Sequence, residues 1–332
     1  MANRSGRVTA TDVAREAGVS QTTVSYVLND APHQKISEST RRKVLDAVAK
    51  LGYRPSAAAR ALRLGRSELV LMLLPDVPVG DSLATLVELL GDELERHRLS
   101  LITRRTQHSP VSSLWREFMP AAVLTSLGVS AEDMAGMRAA GIPVVSVEID
   151  RATHPLGLPI HQTLIGRMQV ERLAATGHTR LGYAAPRQPR LRDFLEPRLA
   201  GVRAACAELG LAAPVVLDVP LDAAAAAAAA DQWHSAVPAV TGVCAYNDET
   251  AFALLAGMRR VGLSAPGDLA VIGVDNDKLA PFAVPPLTTI DNNLDILAGR
   301  VARLIVSSIA DGTVGTTAPQ SVPVSLVVRE SA

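Results

Sequence analysis

The chain has 332 residues, of which 48% are hydrophobic, 20% charged and 3% aromatic, and its formal net charge is zero. This length predicts two or three folding units, and the apolar fraction excludes a wholly disordered chain. No apolar run of about 18 residues is present, so we expect no membrane span, and the polar start predicts no signal peptide. Cys206 and Cys244 are far apart and are expected to be reduced core residues rather than metal ligands.

Charge is divided unevenly along the chain. Residues 1–66 hold 12 Lys and Arg against 5 Asp and Glu, whereas residues 67–332 hold 21 against 28. A basic segment on an acidic remainder is typical of a polyanion-binding module attached to a second domain. A solvated basic face with no partner would give the same counts, so the motifs must decide between these interpretations.

Residues 8–29 carry two helix starts in quick succession. Thr9 stands three residues before Asp12, which is a capping pattern. Gly18 interrupts this helix, and Ser20 offers an N-cap for a second one. Two short helices joined by a glycine turn predict a helix-turn-helix.

The two faces of this predicted motif differ in chemistry. Aliphatic residues would form its core, namely Val13, Val24 and Val27. Amides and hydroxyls would face outward on the second helix, and such groups suit base edges and phosphates. The outward residues are Gln21, Thr22, Ser25 and Tyr26.

A third helix is predicted over Glu38–Leu51, with Ser37 as its N-cap and Gly52 after its end. Its apolar face is expected to contain Val44, Leu45 and Val48. The competing interpretation is a structural three-helix bundle with a chance helix-turn-helix pattern.

The segments "VTATDVAREAGVSQTTVSYVLND" and "ISESTRRKVLDAVAKLGYRPSAAARALRLGRS" resemble the head of the lactose and galactose repressor (LacI/GalR) family, from Val8 to Ser67. The resemblance implies that a recognition helix reads the major groove of operator DNA. Its reading positions match Gln21, Thr22 and Tyr26. Phosphate-contacting or helix-positioning sites match Thr9, Ser20, Thr23, Ser25 and Asn29. Tyr26 replaces the arginine frequent there, and a phenol cannot make the two-pronged guanine contact of arginine.

Residues 54–66 resemble the hinge helix of the same family. The run from Ser56 to Leu62 has strong helical propensity over little more than two turns, too short to be stable alone. The resemblance implies that the hinge is ordered in the minor groove, with Arg60 among the DNA-binding residues and Leu62 as a wedge between base steps. A plain linker with an idle Leu62 is the alternative.

From Leu69 onward, short aliphatic runs alternate with helical segments such as Leu83–Arg96 and Glu249–Val261. The strands are predicted at 69–74, 99–103, 121–124, 144–147, 181–184, 215–217, 242–245 and 269–274, with a final strand in "VPVSLVVRESA". This alternation predicts parallel sheets in two doubly wound lobes, with a ligand between them at the carboxyl ends of the strands. We expect only about two helical turns around Trp115, and a helix or loose surface helix at Ala223–Ala230.

The second half of the body resembles the C-terminal lobe of the same family and of related periplasmic sugar-binding proteins. The segments that carry this resemblance are "RMQVERLAATGHTRLGY", "RLAGVRAACAELGL", "AYNDETAFALLAGMRRVGLSAPGDLAVIGVDN" and "PPLTTI". It implies that Arg198 binds an effector. Asn247 follows a predicted strand and Asp275 ends another, so both are also effector-binding candidates, and a guanidinium, an amide and a carboxylate together suit polyhydroxyl or purine-like ligands. Alternatively, Asn247 caps a helix, Asp275 is a turn residue and Arg198 is a surface charge.

The first half of the body departs from the family. Asp76 is in place as an effector-binding candidate, but "VPVGDS" stands where an Asn-Pro-aromatic-aromatic segment is expected. His161 occupies a position where a polar or acidic residue is common, and is either an effector contact or a structural histidine. Few aromatic residues remain for stacking on a sugar. They are Trp115, Trp233, Tyr246 and Phe282.

These observations predict an all-α helix-turn-helix head (1–53), a hinge helix (54–66) and a two-lobed α/β periplasmic-binding-protein-like sensor (67–332). The N-lobe would hold about 67–162 and 292–320, and the C-lobe about 163–291 and 321–332. We expect a cytoplasmic transcriptional regulator that binds double-stranded operator DNA as a homodimer, represses, and responds to a small sugar-like or other metabolite. No enzyme motif, cofactor or metal site is found. The alternatives are the same regulator with a degenerate sensor, a periplasmic-type binding protein, and an enzyme.

Overall fold

The computed structural model describes residues 8–28, 36–53, 67–106, 110–126, 129–151, 156–311 and 321–332. The chain divides into two compact units, Met1–Ser67 and Glu68–Ala332, which we call the head and the body. Three predicted DNA-binding residues lie outside the described residues, namely Asn29, Arg60 and Leu62.

The described part of the head contains three helices, α1 (Ala10–Ala17), α2 (Gln21–Leu28) and α3 (Glu38–Leu51). Each begins where a hydroxyl side chain accepts a hydrogen bond from a backbone N–H of the first turn. The α1 and α3 helices end at Gly18 and Gly52, whose φ angles of 66° and 61° favour glycine. The three helix predictions from capping residues are therefore confirmed.

A small apolar core holds the head together. It consists of Val13, Ala14, Val24, Val27, Val44 and Ala47. The prediction for Leu45 was wrong, because its side chain is 47% exposed. The reason is helical geometry: Leu45 lies about 100° around α3 from Val44, outside the face that Val44, Ala47 and Val48 turn to the core.

The body begins with a five-stranded parallel sheet, which defines the N-lobe. Its strands are β1 (Leu69–Leu74), β2 (Ser100–Arg105), β3 (Ala122–Thr125), β4 (Val144–Ile149) and β5 (Gly157–Ile160). They lie in the order β2-β1-β3-β4-β5, and every described pairing is parallel. A doubly wound sheet of this order reverses direction between β1 and β3, which opens a crevice at the carboxyl ends of those strands.

A second sheet defines the C-lobe. Its strands are β6 (Leu181–Ala185), β7 (Val215–Asp218), β8 (Gly242–Ala245), β9 (Ala270–Val274), β10 (Thr288–Asp291) and β11 (Ser325–Val327). Its order is β11-β10-β9-β8-β6-β7, and among the pairings of the described residues only that of β10 with β11 is antiparallel. The first five strands of this sheet repeat the N-lobe order, so the C-lobe has an equivalent crevice between β6 and β8.

Helices cover both sheets. They are α4 (Asp81–Glu95), α5 (Val111–Phe118), α6 (Ala131–Ala139), α7 (Gln162–Ala175), α8 (Arg192–Glu208), α9 (Ala223–His234), α10 (Asp248–Arg260) and α11 (Leu294–Asp311). The α4 and α11 helices share the N-lobe core, although α11 follows the C-lobe strands in the chain. Among the described helices, none combines the length and apolar character that a membrane crossing requires.

The alanine-rich segment Ala223–Ala230, which was predicted as a helix or a loose surface helix, belongs to a packed helix. The α9 helix buries Ala226, Ala230 and Trp233 in the C-lobe core. It packs so tightly on α10 that a Cβ built on Gly257 would lie 2.4 Å from the backbone nitrogen of Ala227. Small side chains on both helices permit this approach, so the composition reflects close helix packing.

The two-lobed parallel architecture is confirmed, and eight predicted strands have counterparts within two residues at each end. The strand β5 was not predicted, and no strand was predicted in "PPLTTI", part of which forms β10. The short helix around Trp115 is confirmed as α5, with 8 residues. The exact residues at which the chain passes from one lobe to the other remain a prediction.

Candidate DNA-binding face and effector site

The recognition helix α2 has one buried and one outward face. Val24 and Val27 are buried in the head core, whereas Gln21 and Thr22 are exposed and Tyr26 is half-buried. The outward face therefore carries an amide, a hydroxyl and a phenol, which can hydrogen-bond to base edges.

Hydroxyl side chains fix the starts of the head helices. Thr9 and Asp12 form a reciprocal capping box, in which Thr9 Oγ1 accepts from the backbone N–H of Asp12 at 3.4 Å and Asp12 Oδ2 accepts from the backbone N–H of Thr9 at 3.0 Å. Ser20 Oγ accepts from the backbone N–H of Thr23 at 3.1 Å and lies 2.9 Å from Thr23 Oγ1. These contacts are consistent with a helix-positioning role for Thr9, Ser20 and Thr23.

A cavity of about 440 Å³ lies in the body and is lined by residues of both lobes. It opens at the carboxyl ends of the strands, since it is bordered by Pro75 after β1, Ser126 after β3, Pro186 after β6 and Tyr246 after β8. This is the place where doubly wound folds bind ligands. Four of the five predicted effector residues line it, namely His161, Arg198, Asn247 and Asp275.

Arg198 is a buried cation rather than a surface charge, and three of the five N–H groups of its guanidinium donate hydrogen bonds within the protein. Its side chain is 4% exposed, and its Nε donates to Gln162 Oε1 at 3.0 Å. Nη2 donates to the same oxygen at 2.5 Å, and Nη1 donates to the carbonyl oxygen of Tyr246. The guanidinium also lies 4.7 Å from the centroid of the Tyr246 ring, within cation–π range. Neutral acceptors hold the guanidinium at the cavity wall, with its charge uncompensated by a salt bridge among the described residues.

Asp275 follows β9 in a strained backbone conformation. Its φ of 110° is rare for a residue with a side chain, and its N–H donates to the carbonyl of Ile290 at 2.8 Å. Asn292 Nδ2 donates to Asp275 Oδ1 at 2.6 Å. Burial raises the pKa of Asp275 to about 7, against the opposing effect of the Arg198 charge. The carboxyl can therefore exchange between donor and acceptor near neutral pH.

Asn247 caps α10, as one interpretation predicted, and it also borders the cavity. Its Oδ1 accepts from Thr250 N at 3.0 Å and from Thr250 Oγ1 at 2.7 Å. The next residue, Asp248, points the other way into the lobe and is 1% exposed. It accepts from Thr289 Oγ1 at 2.7 Å and from Asp277 N at 2.8 Å, and burial raises its pKa to about 8.

Asp76 does not line the cavity, in contrast to the expectation for an effector-binding residue. Its carboxylate accepts from Arg190 Nη1 at 2.9 Å, which joins the N-lobe to the C-lobe. A second ion pair across the lobes joins Asp81 to Lys278 at 3.3 Å. The sequence places an acidic residue after β1 correctly but cannot reveal that an arginine more than 100 residues away reaches it.

Three of the four aromatic residues considered for sugar stacking lie elsewhere. Trp115 and Trp233 are buried in the lobe cores, and Phe282 is 78% exposed. Tyr246 lines the cavity beneath Arg198. Among the described lining residues, Phe194 is the one other Phe, Tyr or Trp, so both of these rings belong to the C-lobe.

Several lining residues were not singled out from the sequence. Gln162 accepts hydrogen bonds from Arg198, and Asn292 donates one to Asp275. The carboxylate of Glu249 lies close to Gly80, since a Cβ built on Gly80 would be 3.4 Å from it. The signal for Asn292 was available, since it follows β10, but that strand was not predicted. Gln162 and Glu249 stand beside residues that were chosen, and only the fold reveals which neighbour reaches the site.

A helix-turn-helix head and a two-lobed body with a cavity between parallel sheets define a class of protein, namely DNA-binding transcriptional regulators with a periplasmic-binding-protein-like domain. Residues 9–56 match the model of bacterial regulatory proteins of the lacI family, and residues 170–332 match that of a periplasmic binding protein-like domain. The chain is 30% identical over 292 residues to the HTH-type transcriptional repressor PurR of Vibrio campbellii, covering 85% of this chain and 86% of the relative.

Two further comparisons extend over nearly the whole chain. It is 29% identical over 334 residues to the HTH-type transcriptional regulator GalS of Salmonella typhimurium, covering 98% and 96% of the two chains. The solved lac repressor dimer bound to operator and the anti-inducer ONPF has the same fold, with a TM-score of 0.81 at 24% identity, covering 98% and 99%. The chain therefore belongs to the lacI family of bacterial regulatory proteins, which confirms the resemblance found in the sequence.

Proposed function

We propose that this protein is a repressor that binds a pseudo-palindromic operator as a homodimer, and that a small molecule in the body cavity controls its affinity for DNA. Family membership supports DNA binding, and the cavity of about 440 Å³ supports a small-molecule ligand because binding sites commonly have volumes of about 300–1,000 Å³. We infer a cytoplasmic location because the bacterial chromosome lies there. A regulatory rather than enzymatic role agrees with the names of the relatives.

The observation that carries the DNA-binding proposal is the outward face of α2. Gln21 and Thr22 are exposed on a helix whose other face is held in the core by Val24 and Val27. A helix fixed in this way can enter the major groove with its N-terminal side chains against base edges. Gln21 is suited to a two-pronged contact with adenine, and Tyr26 to a single hydrogen bond or a packing contact.

Genomic footprinting of the bound sites, followed by titration of the identified operator, tests this proposal. We expect Gln21→Ala to lose about 1–3 kcal/mol of specific binding while non-specific binding is retained. Thr22→Ala and Thr11→Ala form a matched pair, since both threonines are exposed but Thr11 lies on α1. Only Thr22→Ala should lower the ratio of specific to non-specific affinity, and equal effects of the pair would contradict the assignment.

Tyr26 distinguishes this head from relatives with arginine at that position. Replacing Tyr26 by Arg should change the preferred base at one operator position in a selection from random DNA. An unchanged preference would mean that Tyr26 only packs against the helix neighbours or the DNA backbone.

The homodimer is supported by the symmetry of operator recognition and by an exposed apolar segment. Two heads are needed for two half-sites one helical turn apart. After β9, the side chains of Leu279, Phe282 and Val284 are 56%, 78% and 66% exposed, which is a large apolar patch for one loop. Phe282→Ser should produce monomers in sedimentation experiments, whereas Val237→Ser should not, although Val237 is 98% exposed. If both variants remain dimers, this segment is not part of the dimer interface.

Control by a small molecule is tested by measuring operator affinity against a panel of metabolites. A ligand that shifts the operator affinity of the wild type but not that of an Arg198→Met variant that still binds operator supports the sensor role, because Arg198 lies in the cavity wall. If no compound that binds the body changes operator affinity, the alternative holds, namely the same DNA-binding regulator with a degenerate sensor.

A further inference from the structure

The two walls of the cavity differ in chemistry. The C-lobe wall presents the guanidinium of Arg198, the amide of Asn247 and the carboxyl of Asp275. Asp275 Oδ1 accepts from Asn292, and among the described residues its second oxygen takes no hydrogen bond. This wall can therefore bind a polar group through donors and acceptors held in fixed positions.

The N-lobe contributes mainly aliphatic side chains, and two helices supply them in parallel stripes. Residues spaced by three and four positions lie on one face of a helix. On α4 these are Leu83, Leu86 and Leu90, and on α11 they are Leu294, Leu297 and Val301. The polar side chains on this side of the cavity lie at strand ends or at helix starts, and they are Ser82, Thr125, Ser126, His161, Gln162 and Asn292.

The cavity is bordered by the N-lobe core and does not pass through it. Leu90, Leu297 and Val301 line the cavity but are each no more than 5% exposed and belong to the same core cluster, so they form its floor. Leu83, Leu86 and Leu294 are half-buried and form its open apolar wall. We call the part lined by these two helical stripes the apolar arm.

A free sugar fits these walls poorly. Its hydroxyl groups would meet the C-lobe wall on one side but would lie against hydrocarbon in the apolar arm, where each loses hydrogen bonds to water without replacement. The Phe and Tyr rings that line the cavity, those of Phe194 and Tyr246, both belong to the C-lobe. An aliphatic group, in contrast, gains from leaving water in such an arm.

We propose that the effector is an amphiphile, with a hydroxyl- or amide-bearing head at Arg198, Asn247 and Asp275 and an aliphatic tail in the apolar arm between α4 and α11. This inference rests on the proposed function only in calling the ligand an effector. The binding preference follows from the two walls of the cavity and is independent of its effect on DNA.

Calorimetric titration of the full-length protein with straight-chain 1,2-diols tests the proposal. From 1,2-butanediol through 1,2-hexanediol to 1,2-octanediol, we expect affinity to rise about fourfold per methylene, equivalent to ~0.8 kcal/mol, until the arm is filled. Glucose and glycerol, which have hydroxyls but no tail, should bind more weakly than hexanediol. Affinity independent of chain length, no binding of any diol, or tighter binding of glucose would overturn the proposal.

Matched variants locate the tail. Leu86→Gln keeps a similar size but places an amide in the arm, so octanediol affinity should fall about tenfold while that of butanediol stays within about twofold. Leu86→Met should preserve the chain-length dependence. If Leu86→Gln does not fold, Leu83→Gln makes the same test at the mouth of the arm. An unaltered chain-length dependence in the glutamine variant that folds would overturn the placement of the tail.

Operator binding measured in parallel separates this inference from the proposed function. If diols bind with the expected dependence but leave operator affinity unchanged, the amphiphile site stands and the sensor role fails. If operator affinity responds to a sugar while diols do not bind, the sensor role stands and the amphiphile proposal fails.

Discussion

The N-lobe and the C-lobe have the same strand order, but the side chains that they turn towards the cavity differ in chemistry. In the C-lobe, Arg198 and Asp275 are each held by hydrogen bonds from or to other side chains, and the periplasmic binding protein-like match begins at residue 170. In the N-lobe, aliphatic stripes of α4 and α11 face the cavity. A doubly wound fold can therefore be preserved by its hydrophobic pattern while the chemistry of one wall changes.

The largest expected effect comes from breaking the C-lobe network. Arg198→Met leaves Gln162 Oε1 and the carbonyl of Tyr246 without their donors, and each buried unsatisfied acceptor costs about 1–3 kcal/mol. We expect the free energy of unfolding to fall by about 4 kcal/mol, as measured by urea denaturation.

The N-lobe offers a contrasting control for this prediction. Thr125 is 2% exposed and lines the cavity, and its Oγ1 takes part in no hydrogen bond among the described residues. Thr125→Val removes a buried hydroxyl that gains nothing from its surroundings, so stability should be unchanged or slightly higher. A loss in the free energy of unfolding comparable to that of Arg198→Met would mean that hydrogen bonds stabilise the two walls to a similar extent.

Backbone packing gives the next effect. Helices α7 and α8 touch at their glycines, because a Cβ built on Gly201 would lie 2.0 Å from the carbonyl oxygen of Thr163. Gly201→Ala should destabilise the protein by about 2–3 kcal/mol, since neither backbone can give way without moving Arg198. Gly91→Ala on α4 is the N-lobe control, because no atom lies within 4 Å of its Cβ, and it should stabilise by about 0.5–1 kcal/mol. Denaturation midpoints of both variants make the comparison.

The stability of the C-lobe should depend on pH through two buried carboxyl groups. Burial raises the pKa values of Asp248 and Asp275 to about 8 and about 7, above those of an unfolded chain. The folded state therefore binds more protons than the unfolded state between about pH 4 and pH 8, and stability should fall as pH rises through this window, by up to about 1.4 kcal/mol per pH unit for each group. Thermal unfolding of Asp248→Asn should have a flatter pH dependence between pH 5 and pH 8 than the wild type. A steeper or identical dependence would argue against a neutral Asp248.

The comparison also explains how far the sequence could predict this molecule. Local signals were sufficient for the head, because Thr9, Ser20 and Gly18 fix helix ends through contacts within a few residues. Strands with continuous aliphatic runs were also predicted, because such a run is a signal within the strand itself. The strand Gly157–Ile160 was missed because it contains glycine and proline and has only four residues, so tertiary pairing with β4 decides its conformation.

The site was predicted less completely than the fold. Strand-end logic identified Asp275 and Asn247 at the cavity, but the partners of Arg198 come from another helix and from a backbone carbonyl. Such pairings depend on how α7, α8 and β8 pack, which no local pattern specifies. The apolar arm was likewise hidden, because stripes of leucine on α4 and α11 look the same whether they face a core or a cavity.

The smallest expected effect tests whether the two lobes are coupled across the cavity. The Asp76–Arg190 pair spans the lobes at 2.9 Å, and its side chains are 42% and 50% exposed. Such a pair contributes about 0.5 kcal/mol, so a double-mutant cycle of Asp76→Asn and Arg190→Gln on thermal unfolding should give a small coupling that vanishes near 1 M salt. Arg167 and Glu208 pair within the C-lobe and form the control. A ligand that changes the angle between the lobes should alter the Asp76–Arg190 coupling and leave the Arg167–Glu208 coupling unchanged, whereas equal changes in both would mean that the ligand does not act on the contact between the lobes.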